Sequence, residues 1–359
     1  MAYRAAPSDV AGATPALGAL ENLRRRALGL AGLRRPGRAW ALARVALDSG
    51  MLFTAAVAAT LGSSAAGVPA PSPYWLALFT GLVLGMIFVL LAIGLSLIFG
   101  LMTVVNFAHG SFYMLGAYFG FVLLGLSGSF WVALAFAPLA VGVFGLLVER
   151  FLIRPLYGRS PDDPLLLTFG LSLVLVEVAR LIWGKIGVTL DPPAALAGAV
   201  NLGFTYFPTY RLFVIAVTAV VLVGLWLFLE KTNIGLVIRA GSRDPLMVRA
   251  LGFDVGRIWF LVFGIGAGLA GLAGILAGPM RGAYAEMGVT IIIESFVVVV
   301  VGGMGSLLGA VISGLLIGQI VGLTTFFAPK LAEIIVFIFM ALVLLFRPSG
   351  LLGETGLME

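Results

Sequence analysis

Apolar runs of about twenty residues recur along the chain, and this repeat constrains the fold more than any other feature. At 1.5 Å of rise per residue, such a run wound as an α-helix crosses the ~30 Å hydrocarbon core of a bilayer. A membrane barrel would show shorter segments of alternating polarity, so the pattern is helical. With 61% of residues hydrophobic and 11% charged, there are too few charges to clothe a water-facing surface of 359 residues. The expected fold is all-α and polytopic, about ten transmembrane helices with broken or re-entrant segments. The 48 glycines fit, because in lipid they let helices pack closely and permit local breaks.

Spans are expected at about 75–100, 110–127, 130–148, 164–183, 211–229, 258–279, 289–302, 306–326 and 331–346, with a further, peripheral one at 41–64, apolar apart from Arg44 and Asp48. Residues 1–40 carry Arg24, Arg25, Arg26, Arg34, Arg35 and Arg38 and read as a basic cytosolic tail. That charged stretch is longer than a signal peptide's, so cleavage is not expected. Residues 41–74 form the additional span and an external loop, 75–348 the main membrane domain, and 349–359 a cytosolic tail. The net charge of +6 comes from arginines beside hydrophobic segments, not interleaved with aromatics, and sets orientation in place of nucleic-acid binding. The connectors at 149–159 and 231–257 are both basic and belong in the cytosol, which puts both termini inside and the loop at 184–210 outside. With no cysteine and one histidine, disulfides, thiolate chemistry and a metal site are not expected.

Two connectors interrupt apolar sequence with small or polar residues: Asn106-Phe107-Ala108-His109-Gly110-Ser111 and Gly302-Gly303-Met304-Gly305-Ser306. Such breaks survive at membrane depth only when buried in protein or lining a cavity. They stand at corresponding places in the two halves of the chain, as an internal repeat would place them. His109 either holds a broken helix or contacts substrate, or only hydrogen-bonds freed carbonyls. Glu294, in Ile291-Ile292-Ile293-Glu294-Ser295-Phe296, costs about 2.5–3.5 kcal/mol at the bilayer centre and must face the bundle interior or water. It is either functional or a structural carboxylate facing Arg281 or a companion subunit. Glu177 and Arg180, three apart on one helix, read as a local structural pair. The single Gly-Lys, Gly184-Lys185, lacks the rest of a phosphate-binding loop, and no Ser/His/Asp set is convincing, so the chain is not expected to be an enzyme.

The stretch from Leu95 to Gly110, continuing as Tyr113-Met114-Leu115-Gly116-Ala117-Tyr118, closely resembles LivH-type permeases of bacterial branched-chain amino acid ABC importers. The resemblance continues at Gly235-Leu236-Val237-Ile238-Arg239-Ala240, at Asp244, at Ala250-Leu251-Gly252-Phe253-Asp254-Val255-Gly256-Arg257 and at Val301-Gly302-Gly303-Met304-Gly305-Ser306. It covers about residues 76–350 and implies a permease subunit in the bacterial cytoplasmic (inner) membrane. The implied partners are a second, LivM-like permease, two LivG/LivF-like ATPases and an external solute-binding protein. ATP and Mg would be used by the ATPases, with no cofactor bound by this chain. The path residues so implied are Asn106, His109, Gly110, Ser111, Tyr113, Gly302, Gly303, Gly305 and Ser306, to which Glu294 and Ser295 are added. The ATPase-coupling residues are Arg239, Arg243, Asp244, Arg249, Leu251, Gly252, Asp254 and Arg257. Glu294 departs from the family pattern, where some members carry lysine. Relatives of this architecture also carry urea, amides or aromatic acids; a different class of reading is a secondary transporter or channel working alone.

Overall fold

A computed structural model describes residues 72–353, apart from 103, 161 and 202–205. The basic tail at 1–40, the candidate span at 41–64 and the last six residues lie outside the described residues. The chain forms helices α1 (Ser72–Met102), α2 (His109–Ser127), α3 (Phe130–Val148), α4 (Asp162–Trp183), α5 (Thr209–Lys231), α6 (Asn233–Arg243), α7 (Pro245–Ala250), α8 (Val255–Arg281), α9 (Met287–Gly302), α10 (Leu307–Phe327) and α11 (Ala332–Phe346). Among the described residues, eight helical stretches are long and apolar enough to cross a bilayer, and α9 is apolar but shorter. The all-α polytopic expectation therefore holds.

Glycine decides which helices touch. Gly81 and Gly85 on α1 lie against the backbone of Gly314, Gly318 and Gly322 on α10, so this antiparallel pair meets without intervening side chains. These are small residues at a spacing of four, the arrangement that gains most from van der Waals packing where lipid supplies no hydrophobic drive. Helix α8 uses the same device on three sides: Gly266 meets Gly94 of α1, Gly271 meets Gly116 of α2 and Gly264 meets Leu146 of α3. The result is a centre of α1, α2, α8 and α10 with α4, α5 and α11 outside it. Seventy-eight per cent of the apolar window of α1 is buried within the chain, against 6% for the last span.

Two connectors are more ordered than their sequence predicted. The loop at 184–210 contains a two-stranded antiparallel hairpin, β1 (Ala199–Asn201) with β2 (Tyr206–Pro208), paired Val200 to Phe207. It anchors itself by burying Phe207, whose ring lies 5.3 Å from that of Phe79. The stretch at 231–257, expected as a basic connector, folds into α6 and α7. Its N-cap signals stand in the sequence: Thr232 Oγ1 accepts from the Gly235 N–H at 3.0 Å and Asp244 Oδ1 from the Met247 N–H at 2.8 Å.

Candidate functional site: two helix breaks and a basic connector

The first break follows Met102. Residues 104–108 are not helical, and α2 restarts at His109. Asn106 and His109 are completely buried. His109 Nε2 lies 3.1 Å from the Leu91 carbonyl of α1, so Nε2 carries the proton and donates. Its Nδ1 then faces inward as a bare acceptor, and neither Nδ1 nor either side-chain atom of Asn106 has a partner among the described residues. The freed backbone is held from α4, where Thr168 Oγ1 accepts from the Phe107 N–H at 3.2 Å and sits 3.3 Å from the Val105 carbonyl. The Phe107 ring is flanked by Phe169 at 5.9 Å and Phe296 at 5.1 Å. Thr168 was not a sequence candidate; a threonine inside an apolar run carries no signal of its own. Gly110 presses on Gly288 and Ile292 in the first turns of α9, and Ser111 and Tyr113 are buried.

The second break ends α9 at Gly302. Gly303 and Gly305 take positive φ angles, +100° and +81°, which favour glycine. Ser306 then caps α10, its Oγ accepting from the Gly309 N–H at 3.1 Å. The carbonyls that α9 leaves free are satisfied from the far end of the chain: the Leu351 N–H donates to Val301 O at 2.8 Å and the Leu352 N–H to Gly302 O at 3.0 Å. The last turn of α1 joins this assembly through the close approach of Gly100 to Gly305. A cavity of about 990 Å³ opens here, lined by Gly100, Met304, Gly305 and Ser306 together with Arg239 and Ser242 of α6. The second break and the connector that follows α5 thus meet at one place, while Asn106 and His109 lie deeper, against the middle of α1.

Glu294 is half-buried on α9, and its Oε2 is enclosed with no hydrogen-bond partner among the described residues. Ser295 is turned to its own helix, donating to the Ile291 carbonyl at 2.7 Å. Arg180 pairs with Glu177 as the spacing predicted, and also reaches across to Glu286 between α8 and α9, its Nε donating at 3.1 Å. The Arg180 hydrogen bond holds the Glu286 carboxyl below the usual range.

In the connector, Arg239 closes α6 back onto α5, donating to the Leu229 carbonyl at 2.7 Å and pairing with Glu230. α6 ends at Arg243. Beyond α7, Gly252 turns the chain at φ +89°, and Asp254 caps α8 by accepting from the Arg257 N–H at 3.2 Å. Leu246, Met247, Leu251 and Phe253 are 73, 57, 69 and 48% exposed, beside the exposed Arg249 and Arg257. These side chains form an exposed apolar cluster rimmed by arginine, a composition common at protein–protein contacts.

A broken-helix centre joined at one end to an exposed connector is the build of a membrane permease. The chain belongs to the family described as branched-chain amino acid transport system / permease component, whose model matches residues 77–344. It is 34% identical over 291 residues to the high-affinity branched-chain amino acid transport system permease protein BraD of Pseudomonas aeruginosa, covering 77% of this chain and 95% of the relative. To the permease protein LivH of Escherichia coli K12 it is 30% identical over 293 residues, 77% of this chain and 94% of the relative. The LivM permease protein of the same organism matches at 28% over 298 residues, 76% of this chain and 69% of the relative. No solved structure matches. The chain is thus a multi-pass inner-membrane permease component, and its relatives are transport permeases rather than enzymes.

Proposed function

We propose that this chain forms half of the membrane path of an ATP-driven importer that carries branched-chain or closely related amino acids inward. The observation that carries the reading is the exposed connector, where Leu246, Met247, Leu251 and Phe253 stand among Arg249 and Arg257 as a docking surface for a separate motor subunit. A carrier working alone has no use for such a surface. The similarity to both LivH and LivM supports pairing with a second, related permease. Two partner ATPases would use ATP and Mg, an external solute-binding protein would deliver the ligand, and this chain would bind no cofactor. With the basic connectors cytosolic, the C-terminal end lies on the same side, and a span at 41–64 would bring the arginine-rich tail at 1–40 there too.

In this reading the Asn106 amide and His109 Nδ1 offer hydrogen bonds to a polar solute within an otherwise apolar interior. The Gly302–Ser306 turn, held at the inner end beside α6, opens and closes the exit as the motor moves the connector. The test is reconstitution with the partner subunits and binding protein, following labelled leucine, isoleucine and valine against urea, amides and aromatic acids. Saturable ATP-dependent uptake of the first group is expected; uptake of another group alone would reassign the substrate. Gly252→Val and Arg257→Ala are expected to lower uptake about tenfold or more with insertion intact, since each disturbs the connector and neither touches the bundle.

A further inference from the structure

Glu149 stands at the inner end of α3 and is completely buried. A five-residue π-helical turn, Glu149–Ile153, sets it there: the wider turn re-aims side chains, so Glu149 and Ile153 point into the protein and Arg150 outward. Three donors converge on the carboxylate, Arg154 Nε at 3.1 Å, Arg154 Nη2 at 2.9 Å and the Tyr157 hydroxyl at 2.6 Å. Burial, reinforced by the bond to Glu149, pushes the Tyr157 hydroxyl up, so it remains a donor. The same residues reach the start of α8: Arg154 Nη2 donates to the Gly256 carbonyl at 3.4 Å, its guanidinium lies 5.3 Å over the Phe260 ring, and Tyr157 meets Trp259 edge-on at 4.7 Å.

A buried ion pair adds little stability over well-packed apolar side chains. What a bidentate pair adds is a fixed geometry. Here it fixes the inner end of α3 to the first turns of α8, immediately after the left-handed turn at Gly252 and the cap at Asp254. Helix α8 is the element packed against α1, α2 and α3 at once. We propose that Glu149 is a positioning residue for coupling: with Arg154 and Tyr157 it clamps the start of α8 to α3, so that force on residues 244–254 moves the bundle centre instead of being absorbed at Gly252. This inference rests on the importer reading above. It adds to the surface connector a buried relay behind it.

The test uses the complete importer in proteoliposomes and counts solute imported per ATP hydrolysed. Glu149→Gln is expected to lower that ratio about tenfold, because the amide offers one acceptor oxygen where the carboxylate offers two and turns an NH2 donor toward the donors of Arg154 and Tyr157, so the fork is lost. Arg154→Lys keeps the charge but not the fork and should fall between. If Glu149→Gln does not assemble, Arg154→Lys and Tyr157→Phe, both of which leave the carboxylate paired, decide. A wild-type ratio in the assembled variants overturns the proposal. A second readout is independent of substrate. The natural chain has no cysteine, so Arg159→Cys, beyond the clamp on the α3 side, and Ile258→Cys, in the first turn of α8 and outside the docking cluster, can be spin-labelled without background. With the clamp intact their separation should stay narrow as ATP binds, and it should broaden with Arg154→Lys. Separation of the labels on ATP binding while the clamp is intact also overturns it. If the unaltered importer takes up no amino acid, the substrate reading fails while the label distances still judge the clamp.

Discussion

His109 is held at one nitrogen and open at the other, which separates its two roles experimentally. His109→Ala removes the bond to Leu91 and leaves a small void, a cost of about 1–3 kcal/mol, and removes the inward acceptor as well. His109→Gln keeps an amide donor for Leu91. Thermal unfolding in detergent should show the alanine variant less stable and the glutamine variant close to the parent, with uptake reduced in both. Glu286 gives a pH signature. Its folded-state pKa is lowered by Arg180, so its contribution is fully present above the ordinary carboxylate value and is lost as pH falls through the lowered one. The difference in melting temperature between the parent and Glu286→Gln should therefore be present at neutral pH and shrink progressively as pH falls below the ordinary carboxylate range. Asn106 and His109 were legible because each is polar inside apolar sequence. Glu149 was not, because a charge at the end of a span reads as headgroup contact, and only the π-helical turn shows that it points inward.

Among elements, the α1–α10 crossing makes a sharp prediction. A side chain at Gly85 or Gly318 meets partner backbone, which cannot swing aside, so Gly85→Leu or Gly318→Leu should forfeit several kcal/mol or prevent folding. Gly125→Leu and Gly224→Leu, on helix faces with nothing within 4 Å, should leave the melting temperature nearly unchanged and serve as controls. The spans themselves were legible from run length, and the two breaks from their polar and glycine residues. Which glycines pair was not: spacing shows that a face is small, and only the fold shows what lies opposite. The docking of residues 351–352 on α9 was equally hidden, being a contact between main-chain groups some fifty residues apart with no side-chain signature. Ordered chain at α6 and α7 could have been found from Thr232 and Asp244, each a capping residue placed just before its helix.

At the scale of the molecule, the inner end gathers four segments distant in sequence around one cavity: the last turn of α1, α6, the Gly302–Ser306 turn and the C-terminal turn at Leu352. If the connector drives the exit, these walls must respond together, because α6 cannot move against Gly305 and Ser306 without changing the space between them. Ser242 of α6 and Ser306 of the turn both line that space, and cysteine is isosteric enough with serine to be placed at either. In the cysteine-free chain, Ser242→Cys and Ser306→Cys should each react with a charged thiol reagent applied from the cytosolic side. Within the assembled importer, ATP should change both rates in the same direction and over the same concentration range. A response at Ser242 alone would mean that α6 moves as a surface element only. Parallel responses would place the exit and the motor contact on one mechanical unit, with α8 and its clamp to α3 carrying the same motion toward His109.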